Sequence, residues 1–419
     1  MRDRHLQPRL AEALSDTPVV FLQGPRQCGK TTLARSVRVR GDPFAFLTFD
    51  RAADRAAAEG DPDGFVDGLP PRVILDEVQR VPAIFPAIKR AVDEDRRPGR
   101  FLLTGSANPL LLPAVSESLT GRMEILTLRP FSQGELLGRR ERFIDAVLRP
   151  GPVRFRGGGG AWRGLVPGLV RGGFPEAVAR TGADRRRQWF ESYLTGTIER
   201  DVRDLANLHR LREMPRILGL AAARATATLN LSEIARDAQL PLTTLQRLWT
   251  LLEATFLVAT TPAWSANLTS RLVKSPKVML LDTGLLCHLL GVDAARLTEG
   301  GPVAGPVLET FVVNELLKQI SWSEERPSLF HYRTHKQQEV DIVLETRAGT
   351  VVGIEVKKTA SPTASDFAGL RHLKDAAGGR FRRGVLLCMV PEPVAFAPDL
   401  VACPVATLWG PAARGASAR

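Results

Sequence analysis

GPRQCGKT, residues 24–31, is the stretch whose reading decides the fold. It meets the pattern G-x-x-x-x-G-K-[ST], a glycine loop whose backbone N–H groups wrap phosphates. Before it, 18-PVVFLQ-23 has the length and apolarity of a strand; after it, 31-TTLARSV-37 reads as a helix. Strand, loop and helix in that order create an anion site at the helix N-terminus. The candidate nucleotide contacts are therefore Gly24, Pro25, Arg26, Gln27, Cys28, Gly29, Lys30, Thr31 and Thr32. Lys30 is expected to reach the β- and γ-phosphates of ATP, and Thr31 to hold Mg²⁺. Cys28 reads either as a thiol open to alkylation or as a small filler residue.

Outward from the loop, the first 135 residues alternate short apolar runs with helical stretches, the pattern of an α/β P-loop NTPase parallel sheet. Strands are expected at 18–22, 45–49, 72–76, 100–104 and 124–128, and helices at 30–39, 82–95 and 109–119. The stretch 50-DRAADRAAAEGDPDGF-65 reads as helix followed by loop. The third strand, 72-RVILDE-77, ends in two adjacent acids. Asp76 is placed to position Mg²⁺ and Glu77 to polarise the attacking water as general base. The fourth strand, 100-RFLLTGSAN-108, ends in Thr104, Ser106 and Asn108, polar groups that suit sensing the γ-phosphate or orienting water. Arg122, in 119-LTGR-122, has two readings: stabilising transition-state charge, in cis or across a subunit interface of a homo-oligomer, or forming a surface salt bridge. Lys30, Glu77 and Arg122 are the candidate catalytic residues.

The chain has 419 residues and 44% hydrophobic composition, enough for two to four folded domains. No 18-residue uncharged apolar run occurs and the N-terminus, MRDRHLQPRL, lacks an apolar core, so no membrane contact and a cytoplasmic location are expected. The four cysteines (Cys28, Cys287, Cys388 and Cys403) lack CxxC spacing, which argues against a disulfide framework and a zinc site. A net charge of +12 suits a polyanionic partner such as DNA; the alternative is arginine spread over solvated faces.

Further along, 149-RPGPVRFRGGGGAWRG-164 reads as a flexible loop or linker, and 166–260 as nearly all helix. Within it, residues 230–258 carry two amphipathic patterns around a turn marked by Pro241, with Ser232 and Thr243 as expected caps. Leu231, Ile234, Ala235 and Ala238 face inward on the first, and Leu245, Leu248, Leu252 and Phe256 on the second. The spacing resembles a helix-turn-helix. Strands at 256–264 and 277–282 around 265–276 complete a winged helix, with Arg271, Lys274 and Lys277 near the wing.

The stretch 339-EVDIVLETRAGTVVGIEVKKT-359 reads as a β-hairpin turning near Ala348 and Gly349. Residues two apart share a face of a strand, so Glu355 and Lys357 point the same way. A turn centred on residue 348 sets Asp341 opposite Glu355. Asp341, Glu355 and Lys357 then converge, and two carboxylates with a lysine can bind a second Mg²⁺ and activate water for phosphodiester cleavage. The preceding helix, 306–320, offers Glu309 or Glu315 as a third acid. This set resembles the PD-(D/E)xK nuclease site.

Taken together, 24-GPRQCGKTT-32, 72-RVILDEVQ-79, 103-LTGSAN-108, 120-TGR-122, 128-LRPFSQGE-135, 171-RGGFPE-176, 193-YLTGTIERDV-202, 271-RLVKSPKVMLLDTGL-285, 308-LETFVVNEL-316, 339-EVDIVLE-345 and 354-IEVKKT-359 resemble one family. That family comprises bacterial and archaeal ATPases with an N-terminal AAA-type domain (AAA_14) and a C-terminal DUF4143 domain. The resemblance implies an ATPase core over 1–135, a helical linker region over 136–215 and a winged helix over 216–285. A restriction-endonuclease-like α/β domain over 300–408 and a disordered tail over 409–419 follow. The 149–164 stretch looks like an insertion, and Gln337-Gln338 stands where the family often has glycine. The expected activity is Mg²⁺-dependent ATP hydrolysis coupled to a DNA-binding or nuclease-like module. The alternative is a nucleotide-regulated switch whose inactive C-terminal domain contacts protein.

Overall fold

The computed structural model describes residues 2–39, 41–107, 119, 121–153, 155, 161–202, 211–334 and 338–410. The five apolar runs of the N-terminal region form β1 (Val19–Gln23), β2 (Ala45–Thr48), β3 (Val73–Asp76), β4 (Phe101–Gly105) and β5 (Met123–Thr127). They pair in parallel in the order β2-β3-β4-β1-β5. Strands β1, β3 and β4 are buried throughout, because helices cover both faces of a parallel sheet. Leu10 and Leu14 of α1 (Gln7–Asp16) and Leu33 of α2 (Lys30–Ser36) pack on Val20, Ile74 and Leu102. On the other face, Ile84, Ile88 and Val92 of α3 (Ile84–Glu94) pack on Val19, Leu75 and Leu103. Each such side chain contributes about 1.5–3 kcal/mol by leaving water. Insertion of β4 between β1 and β3 sets the glycine loop and the Asp76–Glu77 pair on either side of it. All open at the carboxyl edge of the sheet, where parallel α/β sheets bind ligands. The sheet is that of a P-loop NTPase.

One local expectation changes here. The segment 61-DPDGF-65 is not loop: Pro62–Asp67 is a second short helix, because Asp61 accepts from the Gly64 N–H at 2.9 Å and Pro62 starts the helix. The expected helix over 109–119 lies almost wholly outside the described residues, as does most of the glycine-rich part of 149–164 and residues 411–419.

The middle of the chain is helical: α4 (Trp162–Arg171), α5 (Ala183–Gly196), α6 (Met214–Ala223), α7 (Leu231–Ala238) and α8 (Leu242–Ala254). The α7–α8 turn runs through Gln239, whose φ of 57° caps α7 in the left-handed region without glycine. The N-cap of α7 is Asn230, not Ser232; its side chain accepts from the Glu233 N–H at 3.1 Å. Thr243 does not cap α8 either, since the helix begins at Leu242 after Pro241. An antiparallel hairpin follows, β6 (Val258–Thr261) with β7 (Lys277–Leu280). After α9 (Thr283–Leu289) and α10 (Ala304–Ile320) comes a mixed six-stranded sheet. Its strands are β8 (Ser328–Arg333), β9 (Glu339–Glu345), β10 (Val351–Val356), β11 (Phe381–Cys388), β12 (Val394–Ala397) and β13 (Leu400–Pro404), ordered β8-β9-β10-β11-β13-β12. Helix α10 covers one face and α11 (Ala368–Ala377) the other. Ile217, Leu245, Leu280, Phe311, Ile342 and Val385 share one core, so the middle helices and this sheet pack as a unit. Among the described residues no helix is long and apolar enough to cross a membrane.

Asp282 ties these parts together. Its Oδ1 accepts from the Leu285 N–H at 3.1 Å, capping α9, and its Oδ2 accepts from the Gly173 N–H at 2.7 Å. Gly172 has a φ of 69°, and a Cβ there would stand 2.1 Å from Asp282 Oδ1, so the segment can dock only with glycine. Asp282→Ala removes a cap and leaves the Gly173 N–H without its acceptor. The expected loss is about 2–4 kcal/mol, read as a lower urea midpoint; an unchanged midpoint would refute the tie.

Candidate functional site

The glycine loop is a tight cradle. Gly24 has a φ of 152°, and a Cβ there would lie 2.1 Å from the Leu128 carbonyl oxygen. Cys28 is fully buried, its thiol 3.3 Å from the same carbonyl, and burial pushes its pKa up. It is therefore the filler of the two readings. Arg4 donates to the Cys28 carbonyl at 2.8 Å and to Glu135 at 3.0 Å, pinning the loop to the 128–135 segment. Ser132 and Glu135 form a reciprocal capping box there, which accounts for the FSQGE pattern.

Lys30 begins α2 and is 4% exposed, its ammonium donating to the Gly24 and Pro25 carbonyls at 3.0 and 2.9 Å. Thr31 Oγ1 donates to Asp76 Oδ1 at 2.9 Å; Thr104 donates to the same oxygen, and Thr48 Oγ1 lies 3.4 Å from Oδ2. Thr31 and Asp76 thus offer adjacent hard oxygens, a donor set that fits Mg²⁺ with its remaining positions filled by water and phosphate. Burial, with help from Glu77, raises the pKa of Asp76 against the Thr104 and Thr31 hydrogen bonds and Lys30.

Glu77 follows the strand with φ 58° and ψ 46°, a left-handed conformation that turns the chain out of the sheet. Such strain in a side-chain-bearing residue costs about 1–3 kcal/mol and gathers at functional sites. Its carboxylate accepts from Gln79 and, at 3.2 Å, from Ser106; Gln79 Nε2 also donates to Ser106 Oγ at 3.0 Å. Burial works to raise the Glu77 pKa, but Lys30, Gln79, Arg26 and Ser106 outweigh it and hold the carboxyl below its ordinary value. Glu77 is thus an ionised, hydrogen-bonded carboxylate beside the loop.

Gln27, Gly29, Lys30, Thr31, Thr32 and Glu77 line a cleft of about 580 Å³. Its opposite wall is Pro175, Glu176, Arg180, Trp189, Ser192 and Tyr193, from the RGGFPE segment, the end of the short helix it starts, and α5. Nothing in the spacing of single residues pointed to Gln79, Thr48, Arg180 or this wall. Their signals were the carboxyl ends of neighbouring strands and the RGGFPE motif. Asn108 lies outside the described residues. Arg122 is not among the cleft residues; it grips Asp93 of α3 with contacts of 2.6 and 3.0 Å, the geometry of the salt-bridge reading.

The C-terminal acids meet in a second cleft of about 730 Å³, lined in part by Glu309, Glu339, Asp341, Glu355 and Lys357. The β9–β10 register pairs Ile342 with Ile354 and Glu345 with Val351, so one further step sets Asp341 opposite Glu355, the centring on residue 348. Asp341 Oδ2 accepts from the Val356 N–H at 2.9 Å, and Lys357 lies 3.5 Å from Glu355. Of the two helix acids only Glu309 reaches this cleft. Glu315, fully buried, accepts instead from the Gln133 N–H at 2.9 Å and Lys318 at 2.7 Å. Burial and the neighbouring Asp341 raise the pKa of both Glu309 and Glu355.

The cation set among these acids is Lys277, missed because a lysine at a strand start does not announce its partners. Its ammonium sits 2.8 Å from Glu309, 2.6 Å from Glu339 and 3.6 Å from Asp341. Among the described residues no three His, Cys, Asp or Glu side chains have metal-holding spacing, and an ammonium stands against Asp341, one of the two carboxylates expected to hold a second Mg²⁺ with Glu355. The other wing cations are also engaged. Arg271 forms a two-pronged pair with Glu345 and packs on Trp264 and Phe330, and Lys274 donates to the Arg333 carbonyl at 3.3 Å.

Comparison with known proteins agrees with the nucleotide cleft. Residues 16–137 match the AAA domain family, residues 304–408 match a domain of unknown function (DUF4143), and residues 164–296 match another (DUF8612). The AAA match indicates nucleotide binding. Two relatives, Uncharacterized protein Rv2008c of Mycobacterium tuberculosis and Uncharacterized protein Mb2031c of Mycobacterium bovis, are each 32% identical over 363 residues, covering 86% of this chain and 75% of theirs. With the glycine loop, the Asp76–Glu77 pair and the C-terminal sheet in these places, the chain belongs to the family that joins this AAA domain to a DUF4143 domain.

Proposed function

We propose that the chain is a Mg²⁺-dependent ATP hydrolase whose nucleotide cleft is mechanically linked to a DNA-directed module. The observation that carries the hydrolysis reading is the joint position of Lys30, Thr31, Asp76 and Glu77 on one carboxyl edge, with Glu77 held ionised. Thr31 and Asp76 would hold Mg²⁺, which would supply charge neutralisation to the phosphates. Lys30 holds the phosphates, Glu77 takes a proton from water, and Ser106 with Gln79 fixes the Glu77 carboxylate. Arg122, turned toward Asp93 within the chain, is proposed to act only if a second subunit draws it away. Phosphate release from ATP by the purified chain tests this reading.

The link rests on contiguous contacts. Pro175 and Glu176 line the nucleotide cleft; their neighbour Gly173 is bound to Asp282; and Asp282 follows the strand that begins with Lys277 in the acidic cleft. For the module, α7, α8 and the β6–β7 hairpin support a winged helix. The basic wing residues are engaged internally, so the contact assigned to DNA is the exposed face of α8, with Thr243, Gln246, Arg247 and Thr250. Duplex affinity should fall steeply with salt, and Arg247→Ala should reduce the slope of log K against log [salt] by about 1. No binding to duplex, single-stranded or branched DNA at low salt would favour the second reading, a nucleotide-regulated switch that contacts protein. The lysine-filled acidic cleft favours that reading.

A further inference from the structure

We propose that Lys277 is a built-in cation standing where a divalent ion would otherwise sit, so that Glu309, Glu339 and Asp341 are neutralised without metal. The acids come from two elements, Glu309 on α10 and the alternate residues Glu339 and Asp341 on β9. The lysine comes from a third, β7, and its side chain is 3% exposed. Its backbone is held on both sides, paired with Thr261 in the hairpin and bridged to Thr228. The ammonium is therefore delivered into the acids by rigid elements. Its contacts of 2.6 and 2.8 Å are those of charge-assisted hydrogen bonds. Asp341 divides its two oxygens between Lys277 and the Val356 N–H, which leaves little freedom to turn toward an ion.

Charge accounting points the same way. The cleft lining carries five acids, Glu309, Glu339, Asp341, Glu355 and Asp366, and four cations, Arg224, Lys277, Arg333 and Lys357; of these, Lys277 is the one that reaches Glu309, Glu339 and Asp341 together. Burial alone would drive the Lys277 proton off, but Glu309, Asp341 and Glu339 outweigh it and keep the ammonium charged. A dication brought to the same oxygens would meet a fixed positive charge within a few ångströms. Without Lys277 the oxygens of Glu309, Glu339 and Asp341 lose the cation nearest to them, and its place opens to a divalent ion. The inference stands apart from ATP hydrolysis and survives or fails independently of it.

Mn²⁺ titration of the full, nucleotide-free chain, followed by the electron paramagnetic resonance signal of free Mn²⁺, tests it. The site counted is the one that Asp341→Asn removes. Wild-type protein and Asp341→Asn should bind Mn²⁺ identically. Lys277→Met should gain one site at least tenfold tighter than any that wild type holds in this cleft, and Lys277→Met with Asp341→Asn should lose it. An Asp341-dependent Mn²⁺ site in wild type overturns the proposal, as does a folded Lys277→Met chain that gains none. Should Lys277→Met not fold, the comparison of wild type with Asp341→Asn still decides: equal binding upholds the proposal and unequal binding ends it.

Discussion

Lys30→Ala should lower ATP turnover by about 10²–10³-fold, the usual effect of removing one preorganised donor from developing charge. The lysine is buried beneath the loop and its ammonium donates to the Gly24 and Pro25 carbonyls. Those weak ties can be exchanged for phosphate oxygens, which carry full charge. Its loss also removes the first charge that holds Glu77 ionised. The variant should therefore bind ATP more weakly and hydrolyse what it binds more slowly. Isothermal titration and phosphate release separate the two effects, and near-wild-type turnover would remove Lys30 from the site.

Glu77→Gln should separate binding from chemistry. The amide keeps the shape that meets Gln79 and Ser106 but cannot accept a proton from water. ATP affinity should stay within a few-fold of wild type while hydrolysis falls by about 10²–10⁴-fold. The pH profile carries a second signature. Glu77 has its pKa lowered, so the base remains ionised as pH falls through the ordinary carboxylate range. Asp76 is shifted the other way by burial, so it takes up its proton first. The acid limb of kcat/KM for the free enzyme should therefore follow Asp76, and Thr104→Val, which removes a hydrogen bond that stabilises the Asp76 carboxylate, should move that limb to higher pH. An unmoved limb would assign it elsewhere.

The nucleotide half was legible because each of its signals is local. A short apolar run bounded by polar or charged residues, as in VVFLQ or RVILDE, has few alternatives to a buried strand. Glycine at residue 24 answers a contact that no side chain permits. The hairpin register was legible too, since strand alternation and a turn centre are enough to oppose Asp341 and Glu355. What escaped was anything decided by distant partners. Asp282 and Gly173 are 109 residues apart, and Lys277 and Glu309 are 32 apart; neither pairing leaves a periodic trace. The wing cations illustrate the cost of reading charge alone. Arg271, Lys274 and Lys277 look like a polyanion-binding stripe, yet folding turns each of them inward or onto a neighbour. The cap of α7 fell to Asn230 rather than Ser232 because helix ends are set by backbone geometry within one or two residues.

The two clefts give the chain its physical logic. One gathers the glycine loop, Lys30, Thr31 and Glu77. The other gathers carboxylates around a lysine. Asp282 lies between the RGGFPE wall of the first and the strand that carries the lysine of the second.

The most direct measurement is phosphate release from ATP by the purified wild-type chain, with Mg²⁺ and with the metal chelated. Steady release that requires Mg²⁺ and is lost in Glu77→Gln is the predicted result. A folded chain that binds ATP but releases no phosphate with Mg²⁺ present would contradict the account.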